Sequence, residues 1–405
     1  MNRAAEFPRS GSDSRPILRA LRRRPPLRLG LVQLGYLFGG FLLGLALPTL
    51  DIGPRTSGTS VATLLFTLAG AVITLASVVF SLLFLVGQFG ATTLTPRLTL
   101  FRDDPLVWNS FGMFLGFFVF ATTAGLVVNQ KDAVPVAIPV AAVILTVVAL
   151  AVMRILQLHA FRSIQLAPTL ADVTARGEAV LATLYGTEPA GSERSGGPGG
   201  AVVRWTGTGG MLCQIDLPKL AHLAREADVL VRMRVRVGDA LIPGSVVMSV
   251  DGAAGFDNRA MLGCLDVRID RSFDQDPMLA FRIVDDIALR ALSPAVNDPA
   301  TAAQAIDCVG TLLSRISHRP VDVGDVADTE GELRVVVLLP DWDDYVSAAF
   351  DEIADAARHQ PFVARHLLQT IDSLIGSAPA HRQSALERRS AWVRAHCDLP
   401  PTFRS

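Results

Sequence analysis

The chain has 405 residues, half of them hydrophobic, a formal net charge of −1 and a positive mean hydropathy. A charge near zero gives no general attraction to nucleic acid, and this composition is unusual for a soluble protein. The cysteines stand far apart in the second half of the chain, without a CxxC pair: Cys213, Cys264, Cys308 and Cys397. Their spacing favours free thiols in a reducing compartment over a disulfide framework.

Long apolar runs predict an α-helical bundle of four transmembrane helices in the first 158 residues. They follow a basic leader, residues 1–28, which we expect to be disordered. The predicted spans are residues 29–50, 59–88, 108–128 and 136–158, and crossing a bilayer takes about 20 apolar residues. The first run is too long for a signal-peptide core and has no Ala-x-Ala site after it, so we expect it to stay uncleaved.

The positions of the arginines predict how the spans are oriented. Arginines gather in the leader, in the second loop (Arg97 and Arg102) and at the exit of the fourth span. The other two loops hold only Arg55 and Lys131. Because positive residues next to spans stay on the cytoplasmic side, we expect both termini in the cytoplasm.

The second span carries no charge, and its small and polar residues fall on one helix face. We call this set the hydroxyl seam: Thr63, Thr67, Gly70, Thr74, Ser77, Ser81 and Gln88. Such a face is expected to meet protein or water rather than lipid. It either packs against a helix, inside the bundle or between subunits, or it lines a pore. The small residues at mid-span favour packing.

The second half of the chain predicts a cytoplasmic α+β domain. Its expected parts are a connecting helix (159–185), a flexible linker (186–200), a β-rich module (201–256) and a helical part with one further strand (257–400). The module resembles the hairpins of small-barrel carrier domains, but it lacks the lysine that such domains modify. One face of a predicted strand over 229–237 carries Arg232, Arg234 and Arg236, which are either solvated or meet phospholipid headgroups or a nucleotide.

Two Asp-Pro pairs predict a helical hairpin within residues 271–315. Asp276-Pro277 and Asp298-Pro299 each place an N-cap aspartate before a proline at the first helical position. The capped hairpin accounts for these residues by itself. An alternative interpretation makes them part of a polar cluster at one end of the hairpin that binds a divalent ion or a phosphate: Asp276, Asp285, Asp286, Ser293, Asn297 and Asp298.

The sequence predicts no catalytic residue, no metal site and no cofactor. His359, His366 and His381 lack metal-ligand spacing, and Ser293 lacks a G-x-S-x-G turn. The glycines between residues 186 and 210 do not match a phosphate-binding loop. These observations argue against an enzyme.

Two segments resemble a known family. SVVFSLLFLVGQFGATTLTPRL (77–98) and QDPMLAFRIVDDIALRALSPAVNDPATA (275–302) are similar to the bacterial membrane-protein family catalogued as domain of unknown function 2254. Gly90 and Thr95 stand where serine is expected, and Ala300 where phenylalanine is usual. The resemblance implies a multipass inner-membrane protein with a cytoplasmic C-terminal region, and it implies no catalytic residues.

Two classes of function remain open from the sequence. One is a membrane-anchored cytoplasmic scaffold or sensor that acts as a homo-oligomer in the lipid bilayer. The other is an oligomeric channel or transport-type protein with the second span at its axis. The spans carry no buried charge of the kind that coupled transporters use, which argues against an ion-coupled pump.

Overall fold

The computed structural model describes residues 28–50, 53–93, 105–164, 166–185, 200–252, 255–321, 324–328 and 330–399. The predicted leader, apart from Arg28, and the predicted linker, apart from Gly200, lie outside these ranges. The chain divides into two compact units. We call Arg24–Thr169 the membrane unit and the part from Leu170 onward the C-terminal unit.

The membrane unit is built from long helices. They are α1 (Arg28–Ala46), α2 (Gly58–Thr93), α3 (Pro105–Val128) and α4 (Ala137–Ile164), with a short 3-10 turn at Leu47–Thr49. Among the described residues, four helices are long and apolar enough to cross a membrane, over Gly30–Thr49, Gly58–Gln88, Pro105–Val128 and Ala137–His159. The prediction of four apolar helices is therefore confirmed.

Helices α1 and α3 approach each other through glycines. Gly40 and Gly44 on α1 face the α3 backbone: a side chain on Gly40 would overlap the Gly116 carbonyl, and a Cβ on Gly44 would lie 2.9 Å from the Phe120 oxygen. From α3, a Cβ on Gly116 would lie 2.6 Å from the Tyr36 oxygen. Glycines four residues apart on both helices allow this close contact, which gains dispersion energy where no hydrophobic force acts between helices. No pattern in the sequence had indicated this contact between α1 and α3.

Helix α2 packs on α3 and α4 through one apolar face. The buried residues recur every three or four positions: Val61, Ala62, Leu65, Ala69, Val72, Ala76, Val79 and Leu83. The Phe80 ring meets Phe111 edge-on at 5.0 Å between centroids, and Gly125 leaves room for the Phe66 ring. This face lies opposite the hydroxyl seam.

The two loops at one end of the bundle are joined by a small sheet. Strand β1 (Arg55–Ser57) pairs antiparallel with β2 (Ala133–Pro135), and Lys131 Nζ donates to the Pro48 oxygen at 2.8 Å. The α1–α2 and α3–α4 connections therefore lie at the same end of the unit.

The C-terminal unit combines two sheets with a helical layer. The five-stranded sheet has the order β3 (Ala201–Arg204), β7 (Val246–Gly252), β5 (Val229–Met233), β10 (Leu333–Val336) and β9 (Asp325–Ala327). Only β5 and β10 run parallel among its pairs. The three-stranded sheet has the order β6 (Ala240–Leu241), β4 (Gly210–Ile215) and β8 (Leu265–Arg268).

This arrangement corrects the predicted β-rich module. Neither sheet closes into a barrel within the described residues, so the barrel-like form of residues 201–256 is not confirmed. Strands β9 and β10 of the five-stranded sheet lie far downstream of residue 256, and β8 of the other sheet also follows that residue. The described part after residue 256 thus contains three strands, where one was predicted. The predicted strand over 229–237 ends at Met233, and a turn with Gly238 at φ +96° follows it.

The helices of this unit surround a common apolar core. They are α5 (Leu166–Leu184, in this unit from Leu170), α6 (Leu217–Glu226), α7 (Asn258–Leu262), α8 (Leu279–Leu292), α9 (Pro299–Ile316), α10 (Trp342–Ala356), α11 (Pro361–Ser377) and α12 (Ala380–His396). Helix α8 packs on α9 and α10. In the centre, the Tyr185 and Tyr345 hydroxyls form a buried hydrogen bond of 2.8 Å.

The glycine contact between α1 and α3 predicts a sharp difference between neighbouring positions. Gly40→Leu should destabilise the membrane unit by at least about 1–3 kcal/mol, because the side chain would overlap the Gly116 backbone. Gly39→Leu is the control, since a Cβ there meets no atom within 4 Å. Thermal unfolding of the purified protein in detergent should show a lower Tm for Gly40→Leu alone. Equal Tm values would contradict the packing described.

Candidate functional site

Asp276 lies at the start of the predicted hairpin, but it is not the helix cap. Helix α8 begins at Leu279 with Met278 as its N-cap residue, so the predicted capping role of Asp276 is wrong. Its buried carboxylate accepts two bonds from Arg271, one of them 2.8 Å from Nη2 to Oδ1, and one from the Met278 backbone at 3.1 Å. The carboxylate therefore binds Arg271 and, at the same time, the backbone directly before the helix.

Gln275, the residue before Asp276, binds the same segment to the three-stranded sheet. Gln275 is buried, and its side-chain amide pairs with both backbone groups of Ile215, at 2.9 Å from the Ile215 nitrogen and 3.2 Å to the oxygen. Ile215 is the last residue of β4. The Gln275–Asp276 segment therefore joins the three-stranded sheet to α8, and its role is structural. Sequence reasoning missed Gln275 because its partner lies 60 residues upstream.

At the far end of α8, the predicted cap is confirmed. Asp298 is the N-cap of α9 with Pro299 in its first turn, and its Oδ1 accepts the Thr301 backbone N–H at 3.1 Å. The Thr301 hydroxyl donates to Oδ2 at 2.6 Å. These hydrogen bonds, the hydroxyl first, lower the pKa of the Asp298 carboxyl. The carboxylate is thus held by its own helix terminus.

Ser293 and Asn297 form the turn that precedes this cap. The Ser293 hydroxyl donates to the Arg290 oxygen at 2.7 Å, and the Asn297 backbone N–H donates to the Ser293 oxygen at 2.9 Å. Asn297 has a φ of +48°, a left-handed conformation that asparagine tolerates well. The short polar side chains thus close a tight turn.

The six residues of the predicted polar cluster do not come together at one end of the hairpin. Asp276 precedes α8, Asp285 and Asp286 lie within it, and Ser293, Asn297 and Asp298 follow it. A helix of 14 residues is about 21 Å long, so the first and last members are separated by that length. In the described part of the chain, no group of three or more His, Cys, Asp or Glu side chains is arranged to hold a metal ion.

Asp285 is the chemically unusual member of the set. It is 2% exposed, and its Oδ1 has no hydrogen-bond partner within the described structure. Burial, with the negative charge of Glu352 on α10, raises the pKa of Asp285 to about 7, while Arg282 opposes the shift. Arg282 Nη1 donates to Glu352 Oε1 at 2.9 Å. The contact between α8 and α10 therefore contains a carboxyl group, that of Asp285, which is half protonated near pH 7.

The raised pKa of Asp285 predicts a pH-dependent stability. The folded state holds this proton more tightly than the unfolded state, where aspartate has its ordinary pKa of about 3.9, so ionisation costs stability. The free energy of unfolding should fall as the pH rises from about 4 to about 7 and stay low above that. Asp285→Asn imitates the neutral acid and should raise the stability at pH 8 by about 2–4 kcal/mol relative to the wild type.

Denaturant unfolding at pH 5 and pH 8, followed by tryptophan fluorescence, measures this difference. Trp342 lies in the first turn of α10 and is buried, so it reports on the helix that carries Glu352. Asp286→Asn is the matched control: Asp286 is partly exposed and only a minor contributor to the raised pKa of Asp285, so this variant should keep most of the wild-type slope. An Asp285→Asn protein with an unchanged slope would contradict the assignment.

The hydroxyl seam lies on the outside of the membrane unit. All seven seam residues are exposed, and a Cβ on Gly70 would meet no atom within 4 Å. Four of the hydroxyls donate back to the helix itself: Thr63 to Thr59, Thr67 to Thr63, Ser77 to Ile73 and Ser81 to Ser77, at 2.7–2.9 Å. Within the described residues, the chain's own bundle therefore leaves the seam uncovered.

Comparison with known proteins identifies the family. The model of the family described as "Predicted membrane protein (DUF2254)" matches residues 28–373. The chain belongs to this family. It is therefore a membrane protein, and the resemblance of the two quoted segments is confirmed.

The relatives that match the chain are described as uncharacterized proteins. An uncharacterized protein of Mycobacterium bovis is 26% identical over 352 residues, which cover 82% of this chain and 67% of that protein. An uncharacterized protein of Mycobacterium tuberculosis matches with the same identity and coverage. No solved structure matches the chain. The function of this DUF2254 protein must therefore be argued from its own residues.

Proposed function

We propose that this DUF2254 protein is a homo-oligomeric membrane anchor in which the hydroxyl seams of neighbouring copies pack together. In this proposal the oligomer carries the C-terminal unit as a scaffold or sensor module. The observation that supports it is the complete exposure of the seam on a single chain. A face of small and hydroxyl residues that its own helices leave uncovered is suited to a second copy of the same face.

The other outward faces of the membrane unit differ from the seam. The exposed side chains of α1 include Leu31, Leu34 and Phe38, and those of α4 include Ile144 and Val147. These large apolar side chains are what acyl chains solvate best. Of the exposed faces, the seam therefore has the composition of a helix contact, whereas α1 and α4 have that of a lipid surface.

The internal hydrogen bonds of the seam favour packing through close approach. A hydroxyl that already donates to its own helix needs no donor partner across the contact. What it contributes is a small side chain, and Gly70 contributes none at all, so two backbones can come near each other. Polar contacts between membrane helices add only about 0.6 kcal/mol each, so shape decides the contact.

The second candidate function is an uncharged channel with α2 at its axis. The continuity of the seam favours it, because hydroxyl oxygens recur from Thr63 to Ser81 without an intervening charge. Each of these oxygens retains a lone pair that can face water. In such a channel the seams would surround water instead of touching one another.

Cysteine scanning separates packing, pore and lipid exposure. The background carries Cys308→Ala alone, because Cys213, Cys264 and Cys397 are buried. Burial also raises the pKa of Cys213 and Cys397, which lowers their reactivity. Ser77→Cys is compared with Val147→Cys on α4, which is exposed on the lipid-type face.

The three arrangements give different results for Ser77→Cys. Packed seams form a disulfide between copies under mild oxidation and exclude a charged, water-soluble thiol reagent. A pore admits the reagent, and this result would favour the channel. A seam in lipid gives neither reaction, as expected for Val147→Cys, and this result would overturn both candidate functions.

A glycine pair provides an independent prediction. Gly70→Leu should abolish or strongly weaken assembly, because it places a large side chain at the middle of the proposed contact. Gly35→Leu on α1 is the matched control, since a Cβ at either glycine meets no atom within 4 Å of its own chain. Light scattering of the detergent-solubilised protein should show smaller particles for Gly70→Leu only. Normal assembly of both variants would reject the packed seam.

We further propose that both termini lie in the cytoplasm of the bacterium and that the β1–β2 end faces outward. The arginine distribution supports this orientation. The pairing of β1 with β2 agrees with it, because both connections expected outside lie at one end. Reporter fusions after residues 50, 90, 130 and 162 should read outside, inside, outside and inside. Any other order would reject the orientation and the cytoplasmic position of the C-terminal unit.

A further inference from the structure

Two exposed isoleucines lie at one end of the three-stranded sheet. Strands β6 and β8 both pair antiparallel with β4, so they run in the same direction on either side of it. Ile242 follows β6 and Ile269 follows β8, at the end of the sheet where β4 begins with Gly210. With neighbouring strands about 4.8 Å apart, the two backbones are separated by about 10 Å. We call Ile242 and Ile269 the isoleucine tip.

The exposure of the tip is that of a lipid-facing position. Ile242 is 67% exposed and Ile269 is 87% exposed, whereas Leu31 and Phe84 on the apolar helices are 64% and 70% exposed. The other exposed large apolar side chains of the C-terminal unit reach at most 54% among the described residues. Two β-branched side chains with this exposure at one sheet end form a candidate contact surface.

Unpaired arginines lie beside the tip. Arg204 Nη1 donates to the Gly244 oxygen at 2.9 Å, in the turn that follows Ile242, and Arg234 Nε donates to the Ser249 hydroxyl at 3.1 Å. Within the described structure neither arginine forms an ion pair, whereas Arg232 pairs with Asp251 and Arg236 with Asp344. The basic face predicted from the sequence is thus neutralised in part, and the charge that remains lies near the tip.

An aromatic residue, Trp205, lies next to the turn beside these arginines. The Trp205 backbone exchanges hydrogen bonds with the 242–245 turn, from its N–H to the Ser245 oxygen and from the Gly244 N–H to its own oxygen, both at 2.8 Å. Trp205 is half-buried. Tryptophan and arginine next to protruding aliphatic side chains match the polarity gradient of a bilayer interface, where the charge stays among headgroups and the aliphatic groups go deeper.

We propose that the isoleucine tip, with Arg204 and Arg234, binds the surface of an anionic lipid bilayer. The chain itself brings the unit near a bilayer: the last candidate span ends at His159 and the C-terminal unit begins at Leu170. The ten residues between them reach at most about 36 Å when fully extended. A tether this short gives the tip a high effective concentration at the membrane, so a small contact area is sufficient. The proposal does not depend on the packing of the hydroxyl seam.

Depth-dependent fluorescence quenching tests the contact. The full chain with Cys308→Ala is labelled at Ile242→Cys or Ile269→Cys with an environment-sensitive dye and placed in nanodiscs that contain nitroxide-labelled lipids. Val202→Cys is the control, since Val202 is the next most exposed large apolar residue of the unit, at 54%. Both tip positions should be quenched at least about threefold more strongly than Val202. Equal quenching at the three positions would overturn the proposal, and so would a disulfide between copies at Ile269→Cys without quenching, since the tip would then contact a second copy.

The lipid charge tests the arginines separately. Quenching at Ile242 should be stronger with phosphatidylglycerol than with phosphatidylcholine alone, and the double variant Arg204→Gln/Arg234→Gln should remove this difference. The matched control is Arg176→Gln/Arg315→Gln, which removes the same charge from exposed ion pairs. If the double variant keeps the difference, or if the control also removes it, the role assigned to Arg204 and Arg234 is wrong.

Discussion

The close contact between α1 and α3 determines which surfaces of the membrane unit remain open. Because Gly40 and Gly116 bring the two backbones together, α1 lies against α3. Helix α2 then buries its apolar face on α3 and α4 and leaves its opposite face uncovered. Small residues occur on both helices, but they have different partners: glycines of α1 and α3 meet within one chain, whereas Gly70 meets nothing there.

In the C-terminal unit, the corresponding constraint is the attachment of the three-stranded sheet to α8. Gln275 completes the hydrogen bonding of Ile215, and Arg271 neutralises Asp276 in a buried position beside Gly238. Removing one partner would leave a buried polar group without its bond, which costs more than the bond contributes. The conspicuous Gln275–Asp276 segment is therefore explained by folding.

Local signals were predictable from the sequence and long-range partners were not. Asp298 caps α9 as expected because its partner, Thr301, is three residues away. Asp276 has the same local pattern, but its carboxylate is paired with Arg271 and lies beside the turn at Gly238. Likewise the alternation of β5 was visible, whereas its parallel pairing with β10 joins Val231 to Val335, which no local pattern encodes.

The seam shows the same limit in the membrane. Its periodicity predicted one polar face on α2, because a helix repeats every 3.6 residues whatever surrounds it. Which face is covered depends on where α1 packs, and that is decided by glycines that look unremarkable in an apolar run. The prediction of a seam is thus separate from the prediction of its partner.

Asp285 adds an energetic term that packing alone does not require. An apolar residue of similar size would fill the buried position of Asp285 between α8 and α10, and the stability of this contact would then not depend on pH. The carboxyl instead faces Glu352, so its ionisation places two negative charges at one helix contact. Because the folded state keeps the proton up to about pH 7, this contact weakens as the pH rises toward neutrality. At the α8–α10 contact, a change of one proton therefore alters how firmly two core helices are held together.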